Sequence, residues 1–158
     1  MSDAYMSMLI DSQEKKLALL EKAIELDREQ EEIITGAEPD MGALNANINA
    51  KGALIDELDR LDDGFESLYA KVREDFIENK DSHKEEIRTL QGLIRQITEK
   101  IAEVEALEAR SKVNFENFMK QRRTTIKDNK NAVKAANIYA VNMRKMNKID
   151  SVFVDNKK

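Results

Sequence analysis

Cysteine and tryptophan are absent from this sequence, and histidine and proline each occur once among 158 residues. Without cysteine there is no disulfide, no thiolate nucleophile and no cysteine-based metal site. His83 is the only histidine, which excludes a two-histidine metal site and a di-iron bundle built on two Glu-x-x-His pairs within one chain. The five glycines are scattered, so no phosphate-binding loop is present. We therefore expect a protein that is not an enzyme and that needs no metal or cofactor.

Long apolar runs are also missing. No stretch approaches the roughly 20 residues of a membrane-spanning helix, and Met1 to Ile10 lacks the cationic flank of a secretory signal. A chain without cysteine also fits a reducing compartment. The sequence thus predicts a cytoplasmic protein with no stable membrane insertion.

The charge is distributed unevenly along the chain. The net charge is −5, yet residues 112–158 carry 12 Lys/Arg against 4 Asp/Glu, and residues 1–111 carry 14 against 27. Such a split is typical of an acidic body with a basic end that has a different task.

Helical periodicity is the strongest positive signal. Apolar residues recur at alternating three- and four-residue spacing, which predicts helices at about 3–35, 41–78 and 83–126. Because the breaks between them are short, we expect an all-α fold: an elongated, antiparallel three-helix bundle with coiled-coil-like packing over 1–126. Residues 127–158 are then a basic, partly flexible C-terminal tail. The clearest apolar stripe belongs to the third helix and contains Ile87, Leu90, Ile94, Ile97, Ile101, Val104, Glu108, Ser111, Phe115 and Phe118.

Local residues predict how the helices begin and end. Gly36 favours a left-handed residue that ends the first helix, and Pro39 prevents its continuation. Asp40 is a good N-cap for the second helix. Ser82 and Glu85 have the spacing of a capping box at the start of the third.

Polar residues at or near the stripes are interpreted structurally. We expect the carboxylates of Asp27, Glu31, Asp62 and Glu108 either to face solvent or to fix how the helices pair. At the predicted start of the third helix, His83 is expected to be solvated.

The tail keeps large apolar groups that a solvated linker would lack. They are Val133, Ile138, Tyr139, Val141, Met143, Met146, Ile149, Val152, Phe153 and Val154. Two interpretations stay open. The residues bind a partner helix through adaptable methionines, becoming better ordered when bound, or they pack against the far end of the third helix.

Three segments of the sequence carry a resemblance to a known protein family. They are Leu17–Lys22 (LALLEK), Lys51–Leu61 (KGALIDELDRL) followed by Phe65, and Tyr139 followed by Asp150–Lys158 (DSVFVDNKK). Together they resemble the FlgN family of flagellar type III export chaperones, in the form found in Gram-positive bacteria. The pieces span nearly the whole chain, and the finish FVDNKK is the most specific.

The resemblance implies a cytoplasmic chaperone that binds the C-terminal amphipathic helices of the hook–filament junction proteins. It would prevent their premature association and deliver them to the flagellar export gate. We expect the substrate-binding groove along the far half of the third helix and the tail, and gate docking through Tyr139. The candidate groove residues are Phe115, Phe118, Met119, Val133, Ile138, Val141, Met143, Met146, Ile149, Val152 and Phe153.

Three alternatives are kept. A chaperone of the filament cap protein has a similar bundle, and a structural coiled-coil protein would self-associate, so a homo-oligomer stays open. The basic end suggests nucleic-acid binding as a third hypothesis. However, aromatic residues that could stack on bases are sparse there and the acidic body repels phosphate, so no nucleic-acid partner is expected.

Overall fold

The fold is all-α. The structure, a computed structural model, describes residues 2–123 and 134–146 of the chain. Helix α1 is Ser2–Thr35, α2 is Met41–Glu78 and α3 is Lys84–Arg123, and a fourth helix, α4, covers 134–146. The described ranges contain no strand, so the predicted all-α class is confirmed.

The sequence did not predict α4. Ala135 and Tyr139 of this helix are buried in one apolar cluster with Leu44 and Phe115, and Met146 is buried in another. Residues 134–146 of the predicted tail therefore form a packed helix. The other residues of the tail lie outside the described ranges.

Three apolar clusters follow one another along the helices. The first contains Met6, Leu9, Val72, Phe76 and Leu90. The middle cluster includes Leu20, Ile24, Leu58, Ile97, Val104 and Met146. The far cluster contains Leu44, Ile48, Phe115, Phe118, Ala135 and Tyr139, with Ile33 and Ile34 packed against it. From the first cluster to the far one, residue numbers rise along α1 and α3 and fall along α2.

At the connection between α1 and α2, the start of α2 agrees with the sequence prediction and the end of α1 does not. Asp40 caps α2, because its side chain accepts a hydrogen bond from the Ala43 N–H at 3.1 Å. The left-handed conformation predicted for Gly36 is wrong, since no glycine in the described ranges has a positive φ. At the end of α1 the Thr35 hydroxyl instead donates to the Glu31 carbonyl at 2.7 Å.

The second connection starts α3 one residue later than the predicted capping box implies. The Ile87 N–H donates to the His83 carbonyl at 2.8 Å, and this is the first hydrogen bond of the helix. His83 therefore occupies the capping position that we predicted for Ser82.

Candidate functional site

A mainly apolar cleft lies between the far half of α3 and helix α4. Its volume is about 490 Å³, which is within the range of ordinary ligand pockets. Its lining residues are Lys112, Phe115, Glu116, Met119, Lys120, Ala136, Tyr139, Ala140, Met143 and Arg144. We call this feature the α3–α4 cleft.

The α3–α4 cleft brings together four residues that the sequence singled out. Phe115 and Tyr139 stack with ring centroids 4.5 Å apart and planes 11° apart. Met119 from α3 and Met143 from α4 are half-buried beside them. Methionine side chains are flexible and polarisable, so this lining adapts to different apolar groups.

The other predicted groove residues are not all in this cleft. Ile138 and Val141 line a second cleft, of about 410 Å³, between α2 and α4. Phe118 is buried in the far cluster, under the Arg122 guanidinium at 5.1 Å from its ring centroid, and Met146 is buried in the middle cluster. Four further candidates lie outside the described residues: Val133, Ile149, Val152 and Phe153.

Tyr139 is part of the floor of the cleft and is not an exposed docking residue. Only 6% of it is exposed, and its hydroxyl has no hydrogen-bond partner among the residues that the structure describes. Burial raises the pKa of Tyr139 well above its usual value, and the nearby carboxylates of Glu108 and Asp27 raise it further. With α4 packed in this position, Tyr139 offers little surface to an export gate.

Beneath the Tyr139 ring lies a buried charge centre, which we define as Asp27, Gln30, Lys51 and Glu108. The Lys51 Nζ is 2.7 Å from an Asp27 oxygen and 2.8 Å from a Glu108 oxygen. It also donates to the Gln30 side-chain oxygen at 3.4 Å and lies 5.4 Å from the Tyr139 ring centroid. One ammonium group thus faces two carboxylates from two different helices.

A carboxylate of this charge centre holds a proton near neutral pH. The pKa of Asp27 is raised from 3.8 to about 7, chiefly by burial and then by a hydrogen bond with Glu108, while the Lys51 charge opposes the shift. The physical reason is that two carboxylates cannot both be ionised cheaply beside a single buried cation.

We expect this proton to make folding stability depend on pH. Between pH 3.8 and about 7 the folded state keeps a proton on Asp27 that the unfolded state has lost. The stabilising contribution is therefore complete below pH 3.8 and is lost as the pH rises through 7, by at most about 1.4 kcal/mol per pH unit. Urea unfolding at pH 5 and pH 8 should show a smaller difference in unfolding free energy for Asp27→Asn than for the wild type.

Asp11→Asn is the control for this experiment, because Asp11 lies on the same helix with its side chain 65% exposed. This variant should show nearly the same difference in unfolding free energy between pH 5 and pH 8 as the wild type. An equal pH dependence in the wild type and in Asp27→Asn would contradict the assignment.

A second buried ion pair lies nearer the first cluster. The Lys16 Nζ is 2.6 Å from an Asp62 oxygen, and both side chains are buried. Burial raises the pKa of Asp62, while the charge of Lys16 lowers it. Of the two interpretations given for the stripe carboxylates, exposure to solvent is wrong for Asp62, Asp27 and Glu108, which are all buried.

Glu31 and His83 differ in their exposure to solvent. Glu31 stays half-exposed and pairs with Arg110 of α3. His83, which we expected to be solvated, is only 3% exposed. Its ring meets Phe76 edge-on with centroids 5.4 Å apart, and its Nε2 is 3.5 Å from an Asp75 oxygen. The imidazole is buried against the end of α2, so the solvated interpretation is wrong.

A close approach of backbone and side chain attaches α4 to α2. The Asn142 side-chain NH₂ donates to the Ile48 carbonyl at 3.0 Å. A Cβ at Gly52 would lie only 2.8 Å from the Asn142 Oδ1, so any larger residue there would force the Asn142 side chain to shift. At the surface, Lys145 pairs with Asp56 at 2.6 Å.

Sequence reasoning missed Lys51, Gln30, Gly52 and Asn142. A signal existed for Lys51 alone, because it occupies an apolar-stripe position in the second helix, as Asp27 and Glu108 do in theirs. In residues 2–123 and 134–146 no group of His, Cys, Asp and Glu is arranged to hold a metal ion, and no helix is long and apolar enough to span a bilayer.

Comparison with known proteins adds no relative. No protein-family model, no curated protein and no solved structure matches this chain.

Proposed function

We propose that this protein is a chaperone of flagellar type III export. It would bind the C-terminal amphipathic helices of hook–filament junction proteins in the cytoplasm, prevent their premature association and deliver them to the export gate. It would have no catalytic activity. The observation that carries the proposal is the α3–α4 cleft, which is apolar and adaptable. The sequence resemblance to the FlgN family supplies the kind of substrate.

The proposed scaffold is an antiparallel, up-down-up bundle of α1, α2 and α3 with α4 added at its far end. The pairing of Lys16 with Asp62 and of Asp27 with Lys51 supports opposite directions for α1 and α2. The pairing of Glu31 with Arg110 and the shared clusters support a common direction for α1 and α3.

The cleft suits an amphipathic helix for a physical reason. Such a helix presents apolar anchors at i, i+3, i+4 and i+7, and a groove between two helices accepts this row of side chains. The stacked rings of Phe115 and Tyr139 form a rigid floor, and Met119 and Met143 form flexible walls. A bound helix would lie beside α4 and shield its own apolar stripe from other copies.

Calorimetric titration of the whole chain tests the proposal. The ligands are the C-terminal helices of the two junction proteins and of the cap protein from the same bacterium. We expect micromolar or tighter binding of a junction helix, at about −8 kcal/mol or better. Binding of the cap helix alone would redirect the proposal to a cap chaperone. Absence of binding by all three, with a stable dimer in ultracentrifugation, would contradict it in favour of a self-associating coiled-coil protein.

A pair of methionine variants locates the binding site. Met119→Glu places a charge in the cleft and should weaken binding about tenfold or more, because the apolar stripe of a bound helix would have to desolvate the carboxylate. Met8→Glu is the matched control, since Met8 is 55% exposed on α1. Thermal unfolding of both variants checks that each is folded. Equal affinities for the two variants would place the site elsewhere.

A further inference from the structure

The margin of the α3–α4 cleft is positively charged. Lys112 and Lys120 are exposed on α3, and Arg144 is exposed on α4 across the cleft from them. Glu116, between the two lysines, is the single carboxylate of the lining. Eight residues of helix separate the lysines by about 12 Å. Three cations against one anion surround an apolar floor in a protein whose net charge is −5.

Within the described residues, neither Lys112 nor Lys120 nor Arg144 pairs with a carboxylate. The neighbouring Lys145 contrasts with them, because it pairs with Asp56 at 2.6 Å and faces the other side of α4.

The remaining segments of the chain do not complement this charge. Residues 124–133 carry two lysines and one aspartate, and residues 147–158 carry three lysines and two aspartates. Each segment has a net positive charge, so electrostatics favours an acidic ligand from another molecule over either segment.

We infer that the partner of the α3–α4 cleft is an amphipathic helix whose apolar stripe is flanked on both sides by acidic residues. Its carboxylates meet Lys112 and Lys120 along one flank and Arg144 along the other, as the charged positions beside a coiled-coil stripe do. The inference rests on the proposed helix-binding function and adds the charge pattern of the substrate. Rim charges of this kind govern specificity and the association rate more than the total affinity.

Two designed peptides of about 18 residues test the inference. Both carry the same apolar stripe, one flanked by glutamates and the other by lysines, and circular dichroism verifies that their helicity is equal. We expect the full chain to bind the glutamate peptide about tenfold more tightly, with the preference shrinking as salt is added. The double variant Lys112→Glu with Arg144→Glu should reverse the preference.

Lys22→Glu with Lys71→Glu is the matched control, because both lysines are exposed and neither lines the cleft. It should keep the preference of the wild type. Equal binding of both peptides overturns the inference and leaves the helix-binding function standing. Failure of both peptides overturns the two together. Displacement of the glutamate peptide by a single-stranded oligonucleotide also overturns the inference, because the margin would then be a phosphate site.

Discussion

Replacing Lys51 by methionine is expected to lower the free energy of unfolding by about 3–5 kcal/mol. Lys51 is the only cation within ion-pair distance of Asp27 and Glu108 in the described part of the chain. Its removal leaves the two buried carboxylates without a cation, and any negative charge that remains on them is then uncompensated. Urea unfolding monitored by circular dichroism measures the loss.

Two further variants separate this effect from a general loss of charge. Lys71→Met, at an exposed position of the same helix, should change the unfolding free energy by no more than about 0.5 kcal/mol. A triple variant with Lys51→Met, Asp27→Leu and Glu108→Met removes the whole ion set and should be close to neutral. A loss below about 1 kcal/mol for Lys51→Met alone would show that the carboxylates are not buried as described.

Replacing Ile97 by alanine should cost about 2–5 kcal/mol of unfolding free energy. Ile97 is fully buried in the middle cluster, where it packs with Leu20, Leu58 and Val104. Deletion of three carbon atoms there leaves a cavity between three helices. The same urea unfolding experiment measures the cost.

Ile77→Ala provides a control with the same chemistry, because Ile77 is 58% exposed on α2. It should change stability by no more than about 0.5 kcal/mol. Similar losses for the two variants would mean that the inward face of α3 is not the one that the structure shows.

The inward face of α3 was predictable from the sequence. Apolar spacing alone placed Leu90, Ile97 and Val104 on one stripe, and all three are buried. The same phase carries on through Glu108 to Phe115, which are buried as well. The pattern is readable because burial selects apolar residues at helical spacing, whatever the partner is.

The charge centre and α4 were not predictable in the same way. A carboxylate at a stripe position is compatible with solvent or with a buried partner, and only the spatial approach of Lys51 decides between them. The contact between Asn142 and Gly52 joins residues 90 positions apart, and the sequence around neither residue indicates it. Likewise, the burial of His83 depends on how the connection folds against Phe76. Each of these features belongs to tertiary structure alone.

The two buried ion pairs favour one alignment of α1 with α2 over alignments shifted by a heptad. Lys16 faces Asp62 and Asp27 faces Lys51, so both helices carry a buried charge at matching heights. If α2 slid along α1 by seven residues, about 10 Å, each charge would face an apolar or aromatic side chain instead. In one direction Lys16 and Asp27 would meet Ile55 and Leu44, and in the other they would meet Tyr69 and Leu58. Repetitive leucine-rich helices tolerate such slippage, and these two pairs make every heptad-shifted alternative costly.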